Sequence, residues 1–139
     1  MNLKLQLQRD EDTVLHVYAD SRGFLTLGTG RLVDPRKGGG ISQAEADFLL
    51  DNDIASKSLE LSQKAPWTAK LDDARRGALL NMAFNLGVDG LLAFHQFMGF
   101  VQNGQYDQAA DDLETTLWFT QVGGRAKRLQ QQIRTGEWV

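Results

Sequence analysis

The first residues, Leu3-Lys-Leu-Gln-Leu-Gln, alternate apolar and polar with period two, the signature of a strand. Leu3 and Leu7 also stand at i,i+4, the spacing of a short amphipathic helix, and the pattern alone supports both. From Val17 to Val33, aromatic and β-branched residues are broken by Gly23, Gly28 and Gly30, which predicts short strands joined by tight turns. Asp34 to Gly40, with Pro35 and three consecutive glycines, predicts a loop.

At Ser42 the period changes. Ser42-Gln-Ala-Glu45 is a capping box, in which the Ser hydroxyl and the Glu carboxylate each satisfy a free backbone N–H. Behind it, Ala46, Leu49, Leu50, Ile54, Leu59 and Leu61 fit one long helix ending before Pro66, about 30 Å in length. The run from Asp72 to Gly87 has acids at its start, apolar residues nearly all round and a terminal glycine, and predicts a central core helix. Leu91–Val101, Tyr106–Thr115 and Arg125–Arg134 are amphipathic helices closed by glycines. The expected architecture is α+β: a small N-terminal β lobe, a larger all-α C-terminal lobe, a long helix joining them and a cleft between.

At 139 residues and 42% hydrophobic content the chain has the makings of a folded domain with a substantial core. The absence of Cys excludes a thiolate metal site and a cysteine nucleophile. His16 and His95 have no ligand-like spacing, so no metal is expected. A net charge of −3 argues against general nucleic-acid binding. No apolar run is long enough to span a bilayer, and the opening residues lack the continuous apolar core of a signal peptide. The expectation is a monomer that stays in the cytoplasm, with no stable membrane association.

With no nucleophile elbow or phosphate loop, the chemistry falls to carboxylates. Glu11 precedes the β segment, flanked by Asp10 and Asp12, and Asp20 stands in a strand-and-turn region. Paired acids are what glycoside hydrolysis needs: one donates a proton to the leaving oxygen, the other activates water or steadies the oxocarbenium ion. The same residues also suit solvated acidic turns.

The order and spacing of Glu11, Tyr18, Asp20, Gly23, Thr26, Gly28 and Gly30 resembles the start of the T-even phage-type lysozymes, the muramidases of glycoside hydrolase family 24. Further blocks follow in the family's order. Ile41-Ser-Gln-Ala-Glu-Ala resembles the opening of its inter-lobe helix, and Leu71 to Gly87 its buried core helix. Trp118, Arg125-Ala-Lys-Arg128 and Arg134-Thr-Gly-Glu-Trp138 resemble its C-terminal signature.

The resemblance implies a small lobe over 12–41, an inter-lobe helix over 42–63, and a helical lobe over 64–139 with residues 1–11 packing on it. A helical first segment is implied as well. Glu11 falls on the general acid, Asp20 on the carboxylate that positions or deprotonates water, and Thr26 on a hydroxyl residue that helps hold it. Leu32 and Phe84 match positions that contact the glycan, and Phe97 and Asp112 replace smaller or neutral cleft residues. The implied enzyme is an inverting endolysin without cofactor, cutting the β-1,4 bond between N-acetylmuramic acid and N-acetylglucosamine of peptidoglycan. It waits in the host cytoplasm until a holin opens the membrane, then acts in the periplasm. A lytic transglycosylase and a non-hydrolytic peptidoglycan-binding module are the rival readings.

The chain also departs from the family. Asp12 replaces the glycine that commonly follows the catalytic Glu. Arg31 stands in place of a histidine, with Asp53 as its expected partner. The 34–40 segment is shortened, and an acidic balance replaces a basic one, which implies weaker steering toward an anionic wall.

Overall fold

Asn2 decides the ambiguity at the N-terminus. In the computed structural model, which describes residues 2–33 and 39–139, its side chain accepts from the Leu5 N–H at 3.0 Å and caps a helix, α1 (Leu3–Glu11). The period-two strand reading therefore gives way to the i,i+4 reading. Strands β1 (Val14–Ala19), β2 (Leu25–Gly28) and β3 (Arg31–Leu32) follow, forming an antiparallel sheet in the order β1-β2-β3. Val14 faces Gly28 and Tyr18 faces Thr26, with the register shifting between the two pairs. The expected 34–40 loop falls mainly on residues 34–38, which lie outside the described ones.

The capping box forms as the sequence predicts. The Ser42 N–H donates to Glu45 Oε2 at 2.7 Å, and the Glu45 N–H donates to Ser42 Oγ at 3.2 Å. Helix α2 (Gln43–Lys64) then runs for 22 residues and stops before Pro66. The chain divides into two compact units, Met1–Leu50 and Asp51–Val139, with the division inside α2. The first unit takes in α1 as well as the sheet.

The second unit is helical: a 3₁₀ turn at Pro66–Lys70, then α3 (Asp73–Leu86), α4 (Val88–Leu92), α5 (His95–Gln102), α6 (Tyr106–Glu114), α7 (Leu117–Val122) and α8 (Gly124–Thr135). Ala78, Leu79, Met82 and Ala83 of α3 are completely enclosed, packed among Leu61, Leu91, Phe97, Leu113 and Ile133. Two elements differ from expectation. The helix expected over Leu91–Val101 breaks at Phe94, whose backbone leaves helical geometry (φ −78°, ψ 65°) and whose ring packs edge-on against Trp118, 6.3 Å between centroids. The short α7 was not expected, although Thr116 caps it by accepting from the Phe119 N–H.

Arg75 fastens the end of α8, donating to the Ile133 and Arg134 carbonyls at 2.7 and 2.9 Å while its guanidinium lies over the Tyr106 ring. Gly77 has no side chain because the Trp138 ring occupies that space; a Cβ there would come within 2.2 Å of it.

Arg31 has partners within the first unit that the sequence did not suggest. Arg31 Nη2 donates to Glu45 Oε1 and Nη1 to the Gly40 carbonyl at 2.9 Å, so the guanidinium ties β3 to the capping box. The box prepares this bond: Glu45 is already held in place by the Ser42 N–H and presents its other oxygen. That backbone bond first, and Arg31 second, hold the Glu45 carboxyl down from 4.5 to about 2. A carboxyl depressed on folding adds stability above its ordinary value and loses it as pH falls toward the folded one. Arg31→Leu should therefore lower the melting temperature by the same modest margin at pH 5 and pH 8, both above that window. The margin should close between about pH 4.5 and pH 2 in thermal melts.

Candidate active site

Glu11 is the last residue of α1, so its side chain leaves the helix where the chain turns into β1. Its carboxylate lies against the bare Cα of Gly30, where a Cβ would stand 2.9 Å from Oε2. Gly30 has φ +69°, a backbone conformation L-residues rarely adopt, so both its shape and its emptiness are required. On the other side of Glu11, Asp12 has φ 61° and ψ 172°. That region is essentially reserved for glycine, and Asp12 is the one non-glycine residue with positive φ among those described. The glycine expected there by resemblance is thus replaced by an aspartate that keeps a glycine's backbone.

Asp20 sits at the β1–β2 turn. Its Oδ1 accepts from the N–H groups of Arg22 and Phe24, both at 2.8 Å, which fixes the carboxylate's direction and leaves Oδ2 outside these bonds. Thr26 is buried, 3% exposed, and its Oγ1 donates to the Phe24 carbonyl at 3.1 Å. With its proton committed, that oxygen can serve a further partner only by accepting. The main chain of Phe24 is therefore bonded on both sides of its Cα: Asp20 holds its N–H, and Thr26 bonds its carbonyl oxygen, which also accepts from the Asp20 N–H at 2.8 Å. One backbone segment brings two of the predicted residues together.

Glu11, Asp20, Thr26 and the half-buried Leu32 all belong to the first unit. The other expected glycan contacts lie in the second. Phe84 is half-buried on α3 with Lys57 Nζ 5.7 Å from its ring centroid, and Asp112 is half-buried on α6. Phe97 is corrected to a core residue: its ring has no exposed surface and so no face for a ligand. The larger side chain there fills the helical core.

Two residues with no assigned role also enter the site. Thr13 and Thr29 share a hydrogen bond, 3.0 Å between hydroxyl oxygens, one residue from Asp12 and one from Gly30. Pairing them from sequence requires knowing that Val14 faces Gly28, and the shift farther along the ladder hides that register.

The sequence matches the Phage lysozyme family over residues 8–135. Among individual proteins, it is 29% identical to the "Pre-baseplate central spike protein Gp5" of Enterobacteria phage T4, an alignment covering 98% of this chain and 28% of that protein. It is 26% and 27% identical to "Probable T4-type lysozyme 1" and "Probable T4-type lysozyme 2" of Dictyostelium discoideum, covering 97% of this chain and 95% of each.

The backbone at Asp12 and Gly30 makes two stability changes predictable. Asp12→Gly should stabilise the fold by about 1 kcal/mol, because the strain relieved (about 1–3 kcal/mol) exceeds the added freedom of the unfolded chain (about 0.5–1 kcal/mol). An unchanged or lower denaturation midpoint would show that Asp12 carries no strain. Gly30→Ala should cost at least about 1–2 kcal/mol through its positive φ, with a further cost from displacing the Glu11 carboxylate. Repeating it in a Glu11→Ala background should remove the second part and leave the first.

Proposed function

The chain belongs to the phage lysozyme family and so to the glycoside hydrolases, and from that premise we propose that Glu11, Asp20 and Thr26 hydrolyse the β-1,4 bond between N-acetylmuramic acid and N-acetylglucosamine with inversion. In this reading the protonated Glu11 donates to the glycosidic oxygen as the C–O bond breaks. A water molecule attacks the anomeric carbon from the opposite face and gives its proton to Asp20, while Thr26 Oγ1 accepts its second hydrogen. The observation that supports the reading is that the Asp20 carboxylate and the Thr26 hydroxyl are both tied to the main chain of Phe24, one to its N–H and one to its carbonyl. Inversion calls for carboxyl groups about 6.5–9.5 Å apart, with room for the water.

Leu32, Phe84 and Asp112 are the proposed glycan contacts, Phe84 offering a ring face and Asp112 an acceptor. The enzyme acts as a monomer on the cell wall and reaches the periplasm from the host cytoplasm through a holin. Among the described residues no helix is long and apolar enough to cross a membrane. The likeness to the T4 spike protein supports a second setting for the same chemistry, as the lysozyme unit of a larger assembly. The mass of the product made during infection separates the two settings.

Turbidity loss of permeabilised Gram-negative cells, with mass spectrometry of the released fragments, tests the chemistry. Wild type should clear the cells and release hydrated reducing ends. Glu11→Gln and Asp20→Asn should each be slower by at least about a hundredfold. Anhydro products would identify a transglycosylase, and sacculus binding without fragments a non-hydrolytic module.

A further inference from the structure

The segment carrying Gly30 has little to hold it. Gly28 and Gly30 both have positive φ, and Thr29 between them supplies the only side chain of the turn. The opposite segment is strained, with Asp12 in a glycine's conformation between Glu11 and Thr13. Left alone, a strained residue relaxes by rotating its neighbours, and here one neighbour is Glu11. What spans the two segments is the Thr13–Thr29 hydrogen bond, at the position next outward from the Val14–Gly28 pair of the β1–β2 ladder. Thr29 also lines an open groove with Lys4, Leu7 and Gln8, so the turn lies along the face of α1 that continues to Glu11.

We propose that Thr13 and Thr29 are positioning residues for Glu11: their hydroxyl bond locks the Gly28–Gly30 turn to the strained end of α1 and so keeps the Glu11 carboxylate seated on Gly30. Neither hydroxyl takes part in proton transfer. The pair acts on the orientation of the proton donor, and its role rests on Glu11 being the general acid. Removing one hydroxyl lets the strain at Asp12 move the carboxylate, and rate is sensitive to displacements of that size.

The test uses the whole chain and a soluble glycan-strand fragment of peptidoglycan. Thr13→Val and Thr29→Val keep side-chain shape and remove the bond. Each should lower kcat by about tenfold with KM within about twofold, because ground-state binding is untouched. The double variant should be no slower than either single one, since both delete the same bond. Thr13→Ser, which keeps the hydroxyl, should recover the rate. Asp12→Gly should shrink the effect of Thr13→Val, because without strain there is less for the pair to resist.

Unchanged kcat in a folded Thr13→Val variant overturns the proposal. So does a loss that Ser does not restore, or one that tracks a fall in melting temperature, either of which makes the pair merely structural. Glu11→Gln is assayed alongside: if it retains activity, the general-acid reading itself falls. An inactive Glu11→Gln beside a full-speed Thr13→Val defeats the pair alone.

Discussion

The antiparallel ladder between β1 and β2 is the constraint on which the chemistry of the first unit depends. By facing Tyr18 with Thr26 and closing its turn through Asp20, it places the main chain of Phe24 where a carboxylate can take its N–H and a hydroxyl its carbonyl. By facing Val14 with Gly28, it brings the residues after α1 alongside the Gly28–Gly30 turn. Between these pairings the register shifts, so the two ends of one hairpin are set separately. One end fixes Asp20 and Thr26, and the other seats Glu11 against Gly30. In the proposed mechanism the two carboxyl groups must differ in protonation state, and they are placed by different ends of a short hairpin.

The second unit solves a different problem. Its core encloses large apolar side chains such as Leu79, Met82 and Phe97, and polar bonds brace its helices: Arg75 on the last carbonyls of α8, Trp118 Nε1 donating to Asn85 Oδ1, and Arg125 donating to the Asn81 carbonyl and side chain. These bonds fix how short helices close upon one another, which burial alone leaves loosely specified. The region that resembles the family's C-terminal signature is largely this bracing. Two of its basic residues, Arg125 and Arg134, are engaged in this bracing, with Asn81 and with Asp111.

Features set by short-range rules were legible in the sequence. Ser42 and Glu45 announced their own bonds, Pro66 announced the end of α2, and the apolar pattern behind Asp72 announced the core helix. Features set by competition between partners were not. The Arg31–Glu45 bond escaped the sequence reading because it depends on a carboxylate that the cap has already ordered. Phe97 had a cleft position by resemblance, yet a larger ring at a core helix is taken up by the core. In the site, Glu11, Asp20 and Thr26 were chosen by family spacing, whereas Asp20 and Thr26 are each tied to the main chain of Phe24, whose own residue type is immaterial. No residue-by-residue reading reaches a backbone bond of that kind.

Asp12 shows how the two units' economies differ. Among the described residues, every fully enclosed apolar side chain belongs to the second unit; the first encloses only Thr26. A unit of that kind is held mainly by its ladder, its turns and its caps, each contributing about 1 kcal/mol net. Against such terms, a residue strained by about 1–3 kcal/mol is a major opponent. Since the strain sits beside Glu11, the proposed proton donor, the local bonds that resist it also bear on where its carboxylate points. In a unit with a large core, such strain would be absorbed by packing and have no direction. Here it is opposed by a few identifiable hydrogen bonds, so stability and the aim of Glu11 are coupled through the same groups.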